Sequence, residues 1–98
     1  MPLSRPVYDA RMLFMVIERF KNRDAKAVYA RAREKGRMLP DGVKYVASWV
    51  MVDFDRCFQI MEADDARMLD EWTKRWDDLV EFEIVPVMTS QEAAEKMR

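Results

Sequence analysis

Histidine is absent from this 98-residue chain, cysteine occurs once and glycine only twice. The missing histidine removes the commonest general base, the commonest protein metal ligand and every Ser-His or Cys-His nucleophile pair. Haem held by histidine goes with them. The single thiol, Cys57, allows no internal disulfide and does not match the two closely spaced cysteines of metal-carrying ferredoxin-like domains. Lying inside a strand-like run, it reads as a buried, inert group. With glycine only at 36 and 42, no phosphate-cradling loop can form. No apolar run approaches the roughly 18–20 residues of a spanning helix. The first such run, Met12 to Ile17, is too short for an export signal and meets Glu18-Arg19. The expectation is a soluble cytoplasmic protein with no membrane partner and no implied cofactor.

Charge of one sign is also lacking, since 17 basic residues balance 18 acidic ones for a net charge of −1. Both signs run along the whole chain, so no field steers nucleic acid to it and no nucleic-acid partner is expected. Half of the residues are apolar and 36% are charged, which is the composition of a packed core rather than of a linker. This length suits one domain.

Residues 1–11, with Pro2 and Pro6 and no periodicity, read as an irregular tail, and Met12 offers an alternative start. A single domain is then expected over 12–98. Met12 to Phe20 is nearly continuous apolar sequence and predicts a strand, followed by a helix-start signal at Asn22-Arg23-Asp24. Ala25, Val28, Tyr29 and Ala32 recur at helical spacing up to a stop at Gly36. Pro40-Asp41-Gly42 has turn chemistry, Val43 to Val52 reads as a second strand, and Asp53-Phe54-Asp55 returns the chain into a third over Arg56 to Glu62. Asp64 or Asp65 can cap a helix with Leu69, Trp72 and Trp76 on one stripe. Val80 to Val87 predicts the fourth strand, and Thr89 with Glu92 opens a short last helix by a capping box. The order predicts an α+β ferredoxin-like βαββαβ fold, a four-stranded antiparallel sheet of order 4-1-3-2, with a C-terminal helix added.

A sheet with helices on one side and water on the other should alternate apolar with polar residues. These strands do not. Strand one sets Leu13, Met15 and Ile17 against Met12, Phe14, Val16 and Phe20, and strands two and four are apolar on both sides as well. Two helices cannot cover both sides, so a second copy is the economical cover, giving a homodimeric α-β barrel of eight strands. Cover by the C-terminal helix and the N-terminal tail is the alternative.

The almost wholly apolar face (Leu13, Met15, Ile17, Tyr45, Ala47, Trp49, Phe58, Ile60, Phe82, Ile84) is expected to meet the helices. The other face mixes Phe14, Val16, Val46, Val50 and Met61 with Glu18, Ser48, Gln59, Cys57 and Glu83, as an apolar pocket with a few polar groups would. Glu18 and Glu83 are candidate acid and base, since burial raises a carboxyl pKa toward the range useful for proton transfer. The competing reading leaves both in water at strand ends. Phe14, Ser48, Trp49, Gln59 and Trp72 are the candidate ligand-pocket residues, although core packing also accounts for Trp72 and Trp76. The nine methionines read as core filler, and Asp64-Asp65 reads as a helix cap rather than a cation site. RNA-recognition modules of the same topology need a basic-glycine-aromatic third strand, which Arg56-Cys57-Phe58-Gln59-Ile60 lacks.

Met12-Leu13-Phe14-Met15-Val16-Ile17, Pro40-Asp41-Gly42-Val43-Lys44, Glu62-Ala63-Asp64-Asp65 and the run from Trp72 to Val87, with its Trp-x-x-x-Trp step, resemble the small bacterial domain of unknown function 3303 family. That family is grouped with the dimeric α-β barrels. The resemblance covers about residues 12–94 and implies fold and pairing but no activity. Relatives in the wider barrel group include cofactor-independent monooxygenases, muconolactone isomerases and stress-response binding proteins, a weak guide because one fold serves many functions. Where the family pattern often has a histidine after the tryptophan matching Trp49, this chain has Val50, which speaks against a histidine-dependent role. The leading expectation is a homodimer that binds a small apolar ligand or a protein partner. The alternative is a cofactor-independent monooxygenase or isomerase acting on an aromatic or lactone substrate, with Glu18 or Glu83 as proton acceptor and Trp49 or Trp72 beside it. A purely structural interaction module is the third.

Overall fold

The computed structural model describes residues 11–98, so the predicted tail, Arg11 apart, lies outside the described residues. Strand β1 spans Met12–Phe20, helix α1 Ala25–Lys35, β2 Lys44–Val50, β3 Arg56–Ala63, helix α2 Arg67–Thr73, β4 Val80–Val87 and helix α3 Ser90–Lys96. The strands form one antiparallel sheet of order β2-β3-β1-β4, the order expected for a ferredoxin-like βαββαβ chain.

Local chemistry accounts for the boundaries. The Asp24 carboxylate accepts the Ala27 N–H at 3.1 Å and starts α1, and Gly36, at φ 68°, closes it with its N–H on the Ala32 carbonyl. Asp65 accepts the Arg67 N–H at 2.8 Å, while Asp64 instead pairs with Arg11 at 3.6 Å. The α3 capping box is complete between Thr89 and Glu92. Gly42 has φ 91°, and a Cβ there would run into Met68 Cε, so the turn into β2 packs directly on α2. Between β1 and α1 the sequence reading missed a single 3-10 turn, Lys21–Arg23, in which Asn22 and Arg23 take left-handed backbone.

The core lies on one face of the sheet, where Phe14, Val16 and Phe20 of β1, Met61 and Ala63 of β3 and Val80 of β4 meet Val28 of α1 and Leu69, Trp72 and Trp76 of α2 and its following turn. Helix-facing and bare sides are therefore the reverse of the expectation. Leu13, Met15 and Ile17 are only half-buried, whereas Phe14, Val16, Glu18 and Phe20 are buried beneath the helices. Phe82 and Ile84 do meet the core, but they pair with Glu18 and Val16, not with the Leu13 set. Strand β2 departs from alternation through an irregularity between Tyr45 and Ala47. Tyr45 pairs with Met61 and Ser48 with Gln59, so both fall on the covered side, while Ala47 and Trp49 stay with Ile60 and Phe58 on the bare side.

Candidate functional site

A cavity of about 210 Å³ lies between the covered sheet face and the helices. Its apolar walls are Phe20, Val28, Tyr29, Val50, Trp72 and Trp76, and its polar groups are Glu18, Arg37, Ser48, Cys57 and Gln59. A second, wider cleft of about 420 Å³ lies at the strand ends near Phe54, lined mostly by charged and polar residues. Two of its cations are already engaged there, Arg23 with Asp55 at 3.6 Å and Lys21 with the Asp77 carbonyl at 2.6 Å.

Glu18 is placed by the β1 alternation, which turns every second residue toward the helices. It is 6% exposed and stands beside Cys57 on one neighbouring strand and Phe82 on the other. Burial pushes its carboxyl up from 4.5 to about 7, against the opposing pull of the Gln59 hydrogen bond and the Arg37 charge. Gln59 donates from Nε2 to Glu18 Oε2 and accepts at Oε1 from Arg37 Nε, 3.4 Å away. The other Glu18 oxygen, Oε1, bonds to no group among the described residues. The Cys57 thiol is raised to about 12, by burial first and then by Glu18, so it stays protonated, an inert group as its strand position implies. Tyr29 is raised as well, chiefly by burial and further by Cys57 and Glu18.

Arg37 is held from several directions. Its carbonyl accepts both indole N–H groups, Trp72 at 2.8 Å and Trp76 at 3.0 Å. Its guanidinium lies 3.6 Å over the Tyr45 ring, and the Tyr45 hydroxyl bonds Ser48 at 2.7 Å. Arg31 braces the same wall from α1 through two hydrogen bonds to Asp78, at 2.8 and 2.6 Å, and its guanidinium sits 5.6 Å from the Trp76 ring. That pair holds the Asp78 carboxyl down at about 2.

Of the residues singled out from sequence, Glu18, Ser48, Gln59 and Trp72 line the cavity together. Phe14 is buried in the core beside it without lining it. Glu83 is exposed and pairs with Ile17, which puts it on the opposite face from Glu18, so the two carboxylates do not form a pair. Trp49, 60% exposed, is also on the bare face and away from the cavity. The causes differ: Trp49 stays with the Leu13 set, but hydropathy does not say which face the helices take, whereas Glu83 is displaced because the phase of β4 against β1 is set by pairing and not by either strand's own pattern. Arg37, Tyr29 and Tyr45 were missed. The one signal was that the two tryptophans need acceptors when buried, which does not single out Arg37.

Among the described residues no cluster of three or more Asp, Glu or Cys could hold a metal ion, and no helix is long and apolar enough to cross a membrane.

Four antiparallel strands with two helices on one face define an α+β protein of the ferredoxin-like class. The chain belongs to the domain of unknown function family DUF3303, whose model matches residues 12–98. Among curated proteins and among solved structures nothing matches it.

Proposed function

We propose that this protein is a homodimer whose subunits each bind a compact, largely apolar small molecule in the cavity at Glu18. The observation that carries the ligand reading is a buried carboxyl with one oxygen free, facing a cavity walled by two tryptophans and Tyr29. A volume of about 210 Å³ is below the roughly 300–1,000 Å³ of drug-sized pockets, which suits a ligand of about one ring.

Pairing is supported by the bare face, where Leu13, Met15, Ile17, Ala47, Trp49, Phe58, Ile60, Val85 and Val87 share one side of the sheet. Four strands about 4.8 Å apart and about eight residues long at about 3.3 Å each project to roughly 500 Å². Side-chain relief brings that toward the roughly 800 Å² per partner of a standard interface. Both signs of charge flank the patch at each end, Arg19 and Arg56 with Glu81 and Glu83 at one and Lys44 with Glu62 at the other. A second copy of the same face can therefore meet complementary charge. Sedimentation velocity at micromolar concentration is expected to give a dimer for the wild-type chain and a monomer for Ile60→Glu. A wild-type monomer, or a variant that stays dimeric, removes this interface.

A second reading is favoured by one observation, the carboxyl poised at about 7: Glu18 accepts a proton from the bound molecule, as a cofactor-independent isomerase or monooxygenase requires. Thermal shift against a panel of single-ring phenols, acids and lactones tests the binding that both readings share. A ligand that raises Tm for the wild type and not for Ala32→Phe, which fills the cavity, supports it. No shift across the panel, or an equal shift in the filled variant, removes it. Turnover of a bound lactone that disappears in Glu18→Gln separates enzyme from binder.

A further inference from the structure

We propose that the cavity is built for a monoanion, an aryl carboxylate whose two oxygens take the free edge of the Arg37 guanidinium while its ring lies against Trp72, Trp76 and Val28. This rests on the cavity being a ligand site and adds the ligand's charge and chemical class.

The guanidinium is prepared for such a contact. Nε is committed to Gln59, one face is laid over Tyr45, and the residue's own carbonyl is fixed by two indoles. Among the described residues, Nη1 and Nη2 hydrogen-bond nothing and Arg37 forms no ion pair with a carboxylate; the residue is exposed, so this fork stands open to solvent at the edge of the cavity. The planar N–H fork left over matches a carboxylate in a two-point contact, which an ammonium or an amide cannot reproduce. An arginine serving only to steady Glu18 would direct that fork at the carboxyl. Here Gln59 stands between them and relays a single hydrogen bond.

Charge balance points to the same class. The titratable groups around Glu18 are Cys57 from β3, Tyr29 from α1 and Arg37 from the loop after α1, with Tyr45 of β2 lying beneath the Arg37 guanidinium. Cys57 and Tyr29 are held in their neutral forms by burial. With Glu18 protonated, Arg37 is then the one charge at the cavity, and a monoanion neutralises it. Glu18 Oε1 then carries the proton and donates to the ligand, because Oε2 already accepts from Gln59. With Glu18 ionised, the carboxylate repels the ligand and competes for the arginine's field. Anion binding is therefore coupled to the protonation of Glu18, tightest below pH 7 and falling by about tenfold per pH unit above it, the limit for one linked proton.

Isothermal titration of the full chain with benzoate and its neutral isostere benzamide, at pH 6 and pH 8, tests the inference. At pH 6 benzoate is expected to bind at least tenfold tighter than benzamide and to lose most of that margin at pH 8. Arg37→Gln brings benzoate at pH 6 to within about twofold of benzamide in the same variant, and Arg37→Lys, which keeps the charge but not the fork, restores part of the margin. Both variants leave the backbone carbonyl that Trp72 and Trp76 hold, and far-UV circular dichroism checks their folding. Benzamide binding as tightly as benzoate, or a margin that survives Arg37→Gln, overturns the anion class and leaves the cavity standing. Failure of both probes to bind overturns the cavity reading together with it.

Discussion

The two faces of this one sheet divide the protein's chemistry unequally. The covered face holds the buried polar groups Glu18 and Gln59 beside Cys57, whereas the bare face presents Leu13, Met15, Ile17, Phe58 and Ile60 with charge only at its ends. A sheet exposed to water on one side places its polar residues there. Here Glu18 and Gln59 sit under the helices, where Gln59 bonds one Glu18 oxygen and Arg37 bonds Gln59, while the outward face is apolar between its charged ends. A carboxyl buried there costs more than an apolar side chain of the same size, and the Gln59 bond and the Arg37 charge offset part of that cost.

The sharpest way to break the comparison is Trp72→Ala, which empties the covered side. Trp72 is 2% exposed and donates to Arg37, so its loss removes a wall of the cavity and one of the two bonds fixing the arginine. Urea unfolding is expected to show a loss of about 3–5 kcal/mol. A change near that of an exposed site shows that the tryptophan does not anchor the core.

Glu18→Gln comes next and carries the opposite sign. A carboxyl raised from 4.5 to about 7 on folding favours the folded state fully below pH 4.5, and that contribution is lost as pH climbs through about 7. The wild-type chain should therefore weaken between pH 5 and pH 8. Glu18→Gln should be more stable than wild type by about 2–3 kcal/mol at pH 8 and nearly equal to it at pH 5, read as Tm across that range. A variant less stable at pH 8 removes the desolvated carboxyl from the account.

The smallest effect on the isolated subunit belongs to Ile60→Glu, whose side chain points away from the core. Its cost in subunit unfolding is expected near 1 kcal/mol or less, small beside its effect on sedimentation.

Much of the fold was legible because local signals agreed with the final structure. The boundaries of β1 and β4, the Asp24 and Gly36 ends of α1 and the Thr89–Glu92 box each depend on residues within a turn of one another. The orientation of the sheet depends on which side the helices take, and hydropathy ranked the wrong side first because the buried polar residues find partners across the chain. Strand β2 alternates without a break in sequence, so the irregularity at Val46, which brings Tyr45 and Ser48 to one side, left no mark there. Glu18 was readable as the odd carboxylate in an apolar strand. Arg37 was not, because it stands in a polar loop and owes its importance to two tryptophans 35 and 39 residues further on.

That shared carbonyl has a kinetic side. The loop between α1 and β2 cannot reach its final position until α2 and the turn after it have docked, since both indoles reaching Arg37 come from the second half of the chain. Closing such distant contacts is slow relative to forming α1 or the β2–β3 hairpin. The Arg37 side of the cavity is thus expected among the last features to form during folding, since two of its walls, Trp72 and Trp76, arrive with α2 and the turn after it.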